Sequence, residues 1–293
     1  MKFLFLLLLL PSLVFAEERL QWKQLFTEIP DTSVGVFKES FSKEALPWWG
    51  VILGSTYALY IFDDEIYKEM QKKGRDWGIG NHDNTKAILK AQGYELFRVP
   101  TDTASGLYFL GDGWTHAAIG GGFLIAGAIS EDNYHFNTGM MIWHGMITST
   151  IFNQLFKRSI GRESPEVSTS HRGSWRLFPS TQDYNSHTAS YDAMPSGHVM
   201  TATSTFTILS ERYPEQRKYI IPIGAVWITG LMFGMTNLGV HWASDYPLGI
   251  AMGYMFGKWA TRMGKDQREK NPELRTDWQV LPSPSGLIAT RRF

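Results

Sequence analysis

The chain has 293 residues, a formal net charge of +0 and 0 cysteines. The neutral balance excludes a general nucleic-acid footprint, and the lack of thiols excludes disulfides, thiolate metal sites and cysteine nucleophiles. The 11 Trp, 12 Tyr and 18 Phe suit a large core or a membrane interface.

Residues 1–16 read as a secretory signal. Lys2 gives the basic end, residues 3–10 the apolar stretch, and Val14-Phe15-Ala16 a small-residue cleavage site. Residues 17–45 are polar with scattered aromatics, which predicts short amphipathic helices. Residues 47–62 are apolar and uncharged, ending at Asp63-Asp64-Glu65, which reads as a solvated helix boundary. Residues 63–105, rich in Lys and Gly, predict surface helices and loops. Four helical stretches follow at 114–129, 138–156, 195–210 and 219–235. A last helix, about 240–262, carries His241 at its start. His116 and His144 lie in apolar helices without partner motifs and read as structural. Gly120-Gly121-Gly122 lies inside an apolar helix and predicts close helix packing.

A long loop joins residues 162 and 195 and holds His171, Arg172, Arg176 and His187. Loops of this length are usually functional, so a lid or recognition segment over 166–192 is expected. Past Lys265 the tail is charged. It ends in two short apolar runs around Pro282-Ser283-Pro284-Ser285-Gly286, the pattern of a small hairpin.

Three elements carry chemistry. Pro195-Ser196-Gly197-His198 opens a predicted helix, where backbone N–H groups favour an oxyanion. In His241-Trp242-Ala243-Ser244-Asp245 the i, i+4 spacing predicts His241 and Asp245 on one helix face. A carboxylate beside an imidazole fixes its tautomer and frees the other nitrogen to attack. His198 is then placed to protonate a leaving oxygen. Upstream, Lys157-Arg158-Ser159-Ile160-Gly161-Arg162 offers cations for phosphate.

In that order, over roughly residues 106–262, these elements resemble the type 2 phosphatidic acid phosphatase / vanadium haloperoxidase superfamily. Two positions depart from it. The family's Lys-x6-Arg-Pro motif lands on Ser164-Pro165, so serine stands where arginine is expected and Arg162 is the candidate substitute. The Ser-Arg-x5-His motif lands on Gly234-Met235, so methionine stands at the second arginine.

The resemblance implies an all-α bundle of about six core helices with an N-terminal helical extension. The expected division is 1–16 signal, 17–105 extension, 106–262 phosphatase-like core and 263–293 tail. The implied activity is metal-independent hydrolysis of a phosphomonoester or pyrophosphate, lipid-linked, through a phosphohistidine. His241, His198 and Asp245 are the catalytic residues. Lys157, Arg162, Ser196 and Gly197 hold the phosphate. No cofactor and no metal are expected. The partner is a phosphorylated small molecule or lipid, with membrane association. Two alternatives stay open, a vanadium-dependent haloperoxidase and a non-catalytic envelope protein. Soluble and membrane-embedded bundles both stay open too, since the mean hydropathy is -0.19. The expected location is the cell envelope, in the periplasm or the inner membrane, with the site facing the periplasm.

Overall fold

The structure is a computed structural model and describes residues 17–91, 94–265, 278–283 and 286–291. The expected signal segment lies outside them. The chain forms the expected all-α bundle. Short helices α1 (Gln24–Thr27) and α2 (Ile29–Ser40) lead into α3 (Leu46–Ile61) and α4 (Asp63–Asp76). After a hairpin come α5 (Thr103–Phe109), α6 (Gly113–Ile129), α7 (Asn133–Ile160) and α8 (Thr181–Ser186). The order closes with α9 (Gly197–Arg212), α10 (Arg217–Leu238) and α11 (Tyr246–Ala260).

The starts of the long helices have clear causes. Asp112 and Asp132 accept from the first-turn amides of α6 and α7 (2.8 and 2.7 Å), and Ser196 caps α9. Gly161, left-handed at φ 56°, ends α7. Helix α9 is the central element. It packs on α6, α7, α10 and α11, and Val199, Met200, Ala202, Ile208 and Leu209 along it are fully or almost fully buried.

Helix α11 comes closest to it, along Gly249, Gly253 and Gly257. A Cβ at Gly249 would lie 2.8 Å from the Ser196 carbonyl oxygen, and one at Gly257 2.7 Å from that of Ser204; one at Gly253 would collide with the Met200 oxygen. Only glycine permits this approach. Gly120, too, meets the Trp143 and Ile142 side chains, as expected of close packing, whereas no atom lies within 4 Å of a Cβ at Gly122.

Three expectations change. Within 63–105, Thr85–Ala91 and Tyr94–Pro100 pair as an antiparallel hairpin (β1 and β2) rather than forming helix and loop. The aromatic and β-branched residues of Tyr-Glu-Leu-Phe-Arg-Val, preceded in the sequence by a glycine, carry that signal. The last helix begins at Tyr246, not near 240, because Gly239 (φ 78°) terminates α10 and residues 239–242 form a turn. Asp63 is no solvated boundary. A 69° bend between α3 and α4 swings it inward to 0% exposure. The tail hairpin is present as Trp278–Ser283 paired with Gly286–Arg291 (β3 and β4).

Residues 17–45 pack on the core. Leu20 N donates to Asn137 Oδ1 (2.8 Å), and Arg212 pairs with Glu17 (2.6 Å). His144 is held between Leu25 O and Thr32 Oγ1, both at 2.9 Å, a structural role as expected. His116 bonds the Leu110 carbonyl oxygen in the same way.

Among the described residues, Pro214–Leu238 is a helix long and apolar enough to cross a membrane. Its 25 residues span roughly 37 Å at 1.5 Å each, against about 30 Å of hydrocarbon. Helices α3 and α4 make a second span only if the bent pair counts as one. Helix α3 turns Trp48, Val51, Leu53 and Tyr57 outward.

Candidate active site

Three chain segments meet at one end of the bundle: the last turn of α7, the first turn of α9 and the turn before α11. They bring Lys157, Ser196, Gly197, His198, His241 and Asp245 together, and all three elements read from the sequence converge. The His198 and His241 rings lie 6.3 Å apart, centre to centre, nearly perpendicular. Gly197 opens α9, and a Cβ there would strike the Asn153 amide at 2.6 Å. The Ser196 N–H is already engaged, donating to the Asp245 carbonyl oxygen (3.2 Å). Ser196 itself is fully buried.

His241 Nδ1 donates to the Ala193 carbonyl oxygen at 2.5 Å. A carbonyl only accepts, so Nδ1 carries the proton and Nε2 keeps the lone pair. Asp245 lies farther off, its Oδ2 3.6 Å from Nδ1. The carboxylate therefore supplies field at His241, while the Ala193 carbonyl fixes the tautomer. This corrects the one-face helical picture. His241 and Asp245 flank a turn, and Asp245 Oδ2 accepts the Trp242 N–H (2.7 Å).

Arg162 faces the other side of Asp245. Nη1 donates to Asp245 Oδ1 (2.5 Å) and Ser244 Oγ (2.7 Å). Nη2 donates to Asp63 Oδ2 (2.7 Å) and the Arg172 carbonyl oxygen (3.1 Å). Ser244 completes the network by donating N–H to Asp63 Oδ1 (3.0 Å) and Oγ–H to Asp63 Oδ2 (2.5 Å). Arg162, Asp63 and Asp245 are each 0% exposed. The expected phosphate ligand is thus placed in a buried triad. An arginine lodged between two carboxylates braces the turn that carries His241 and has its terminal nitrogens already engaged.

Lys157 Nζ reaches Asp192 Oδ1 at 2.8 Å, and Tyr184 donates to the same oxygen (2.9 Å). Burial holds the His198 pKa well below 6.5, and the Lys157 charge acts in the same direction. The free protein therefore keeps His198 neutral around pH 7. The Tyr108 ring lies 4.6 Å from it, centre to centre and tilted, and burial pushes the phenol up to about 12. On Tyr108 also lies a cavity of about 280 Å³, lined further by Asp83, Glu166, Leu238 and Val240. Burial, then the nearby Asp83 charge, raises the Glu166 carboxyl.

The two departing positions are packed. Ser164 is 3% exposed, its N–H bonded to the Ala189 carbonyl oxygen (2.8 Å), and Met235 is 0% exposed among Val199, Leu231 and Tyr246. In the loop, Arg176 pairs with Glu163 (3.3 Å), and the Arg172 guanidinium sits over Tyr60 (5.4 Å). Sequence reasoning missed Asp63, Asp192, Ala193 and Tyr108. Asp192 alone left a trace, as an acidic residue three positions before Pro195.

The PAP2 superfamily model matches residues 139–269. The match contains all three site elements, most of α7, and the whole of α9 and α11. A comparison with curated proteins finds no match. Among solved structures, the chain is similar to a transmembrane PAP2 type phosphatidylglycerolphosphate phosphatase from Bacillus subtilis. The two share 16% identity at a TM-score of 0.42, over 86% of this chain and 100% of the other. The match to the PAP2 superfamily supports a phosphatase.

Proposed function

We propose that the chain is a metal-independent phosphatase of the PAP2 type that hydrolyses a lipid-linked phosphomonoester or pyrophosphate. The observation that carries the reading is the 6.3 Å pairing of His198, in the first turn of α9, with His241, in the turn before α11, with Lys157 on the adjoining helix end. His241 Nε2 attacks phosphorus and the P–O bond to the leaving group breaks. His198 delivers a proton to the departing oxygen. Water then attacks the phosphohistidine, His198 takes up the water's proton, and phosphate leaves. Lys157 and the Gly197 amide stabilise the charge on the phosphoryl oxygens, where most of the rate enhancement lies.

His198 begins neutral, so it must gain its proton as the substrate binds. A bound phosphate dianion beside the ring favours the imidazolium. Arg162 acts through Asp245 and the turn rather than on phosphate. The exposed apolar face of α3 and the length of Pro214–Leu238 support membrane association. In this reading the site lies in the cell envelope and faces the periplasm, within the division 17–105, 106–262 and 263–293.

Purified protein assayed on a panel of lipid phosphates, with and without EDTA, tests the reading. Release of phosphate that survives chelation and disappears in His241→Ala supports it. Vanadate-dependent halide oxidation without phosphate release would replace it with the haloperoxidase alternative.

A further inference from the structure

A second cavity, also about 280 Å³, lies behind the nucleophile's turn. Its walls include Leu53, Tyr57, Trp175 and Met194, and Arg162 and Ser244 line it as well. The exposed polar surface of the pocket is slight. Two of the lining residues each carry a buried polar atom without a hydrogen-bond partner. The Arg162 Nε–H, on a side chain 0% exposed, has no acceptor, and neither does the buried Thr56 hydroxyl. Buried donors are nearly always paired, so two on one pocket point to an absent acceptor.

Charge decides what that acceptor is. Arg162 carries one positive charge against the two carboxylates of Asp63 and Asp245. The cluster is net negative, and another anion would be repelled in so dry a place. The acceptor is therefore neutral. The walls require the rest of the ligand to be apolar. An ester carbonyl carrying an alkyl chain meets both conditions.

The mouth says where the ligand comes from. Leu53 and Tyr57 are 62% and 68% exposed and continue the outward apolar face of α3 through Trp48 and Val51. Two lining residues are chain neighbours of the site. Met194 follows Ala193, whose carbonyl holds His241, and Ser244 precedes Asp245. We infer that this pocket is an acyl subsite, which takes the ester carbonyl and first chain segment of the lipid substrate at Arg162 Nε and Thr56 Oγ1. The inference rests on the lipid-phosphatase reading for the identity of the occupant, and not for its chemistry.

The test needs no turnover. The full chain in detergent micelles is irradiated with a diacylglycerol bearing a diazirine near its ester carbonyl, and the adducts are mapped by peptide mass spectrometry. Label should concentrate on residues 53–60 and on Trp175 or Met194, and unlabelled diacylglycerol should compete it away. Thr56→Trp, which fills the cavity, should cut that label about tenfold. Thr56→Val, which keeps the volume and removes the hydroxyl, should cut it about threefold. On active protein, Thr56→Trp should also lower kcat/KM for a long-chain lipid phosphate relative to a soluble aryl phosphate by about tenfold. Label spread evenly over the outward apolar helix faces, or unchanged in a Thr56→Trp protein that elutes as the parent does, would overturn the subsite. Focused, competed label on a protein that releases no phosphate would sink the phosphatase reading and leave the acyl pocket standing.

Discussion

Asp192 holds Lys157 at 2.8 Å, so the lysine assigned to phosphate already bears a carboxylate. An incoming anion has to compete with that oxygen. Asp192→Asn removes the competing charge and keeps the shape. Inorganic phosphate and vanadate should then inhibit about tenfold more tightly, the scale of one charge-assisted hydrogen bond. A folded variant with unchanged inhibition constants would place Lys157 outside the phosphate subsite.

His241→Ala should abolish turnover and the acid-labile phosphoryl adduct, since no neighbouring group replaces a covalent nucleophile. Asp245→Asn should behave differently. The Ala193 carbonyl still fixes the imidazole, so residual activity remains. The new amide cannot accept from both Arg162 and the Trp242 N–H, so one buried donor loses its partner at about 1–3 kcal/mol. Arg162→Met leaves two carboxylates facing each other without their cation and should cost about 3–5 kcal/mol. Urea titrations of the two variants give the order directly. Equal losses would mean that Arg162 does not organise the triad.

Restoring the family arginine through Met235→Arg should damage the fold rather than improve the site. Met235 is 0% exposed in an apolar cluster, and an unpaired charge there should cost about 3 kcal/mol or more. The melting temperature should fall and phosphate inhibition stay put. Tighter inhibition at an unchanged melting temperature would show instead that the position opens onto phosphate.

Acid should favour activity and weaken the fold. Burial keeps His198 below 6.5, so its proton-donor form grows as pH falls and kcat/KM should rise. The raised Glu166 carboxyl neutralises over the same direction of change and relieves its repulsion with Asp83. Stability runs the other way. The unfolded chain's histidine binds a proton at higher pH than the buried one, so stability is lost as pH drops below about 6.5. Glu166→Gln should flatten the pH dependence of KM and spare that of kcat. A kcat profile that moved with Glu166→Gln would make this carboxyl, rather than His198, the titrating group.

The helices that build the site were legible because their cause is local. Runs of apolar residues, Ser196 at a cap and Gly161 at a stop announce themselves in the chain. The convergence of Lys157, His198 and His241 was legible through order and spacing. Asp63 was not. It is acidic and follows an apolar helix, and that pattern usually meets water. Only a bend between α3 and α4, together with Arg162 99 residues later, explains its burial. The role of Ala193 was equally hidden, since a backbone carbonyl leaves no mark on residue identity. The β1–β2 hairpin was lost because lysines and a lone Gly93 read as surface loop.

The approach of α11 to α9 along Gly249, Gly253 and Gly257 separates two properties that most enzymes mix. The spacing of the segments that carry His198 and His241 is set main chain against main chain, because Ser196 rests directly on Gly249. No side chain acts as a spacer there, so repacking elsewhere cannot adjust it by small steps. A single methyl group works as a wedge, and the reacting distance changes only when whole helices shift. The cavity on Tyr108, by contrast, is lined by side chains such as Asp83 and Glu166, which single replacements can alter freely. For the proposed phosphatase, the spacing of the two histidines would stay constant while that lining varies.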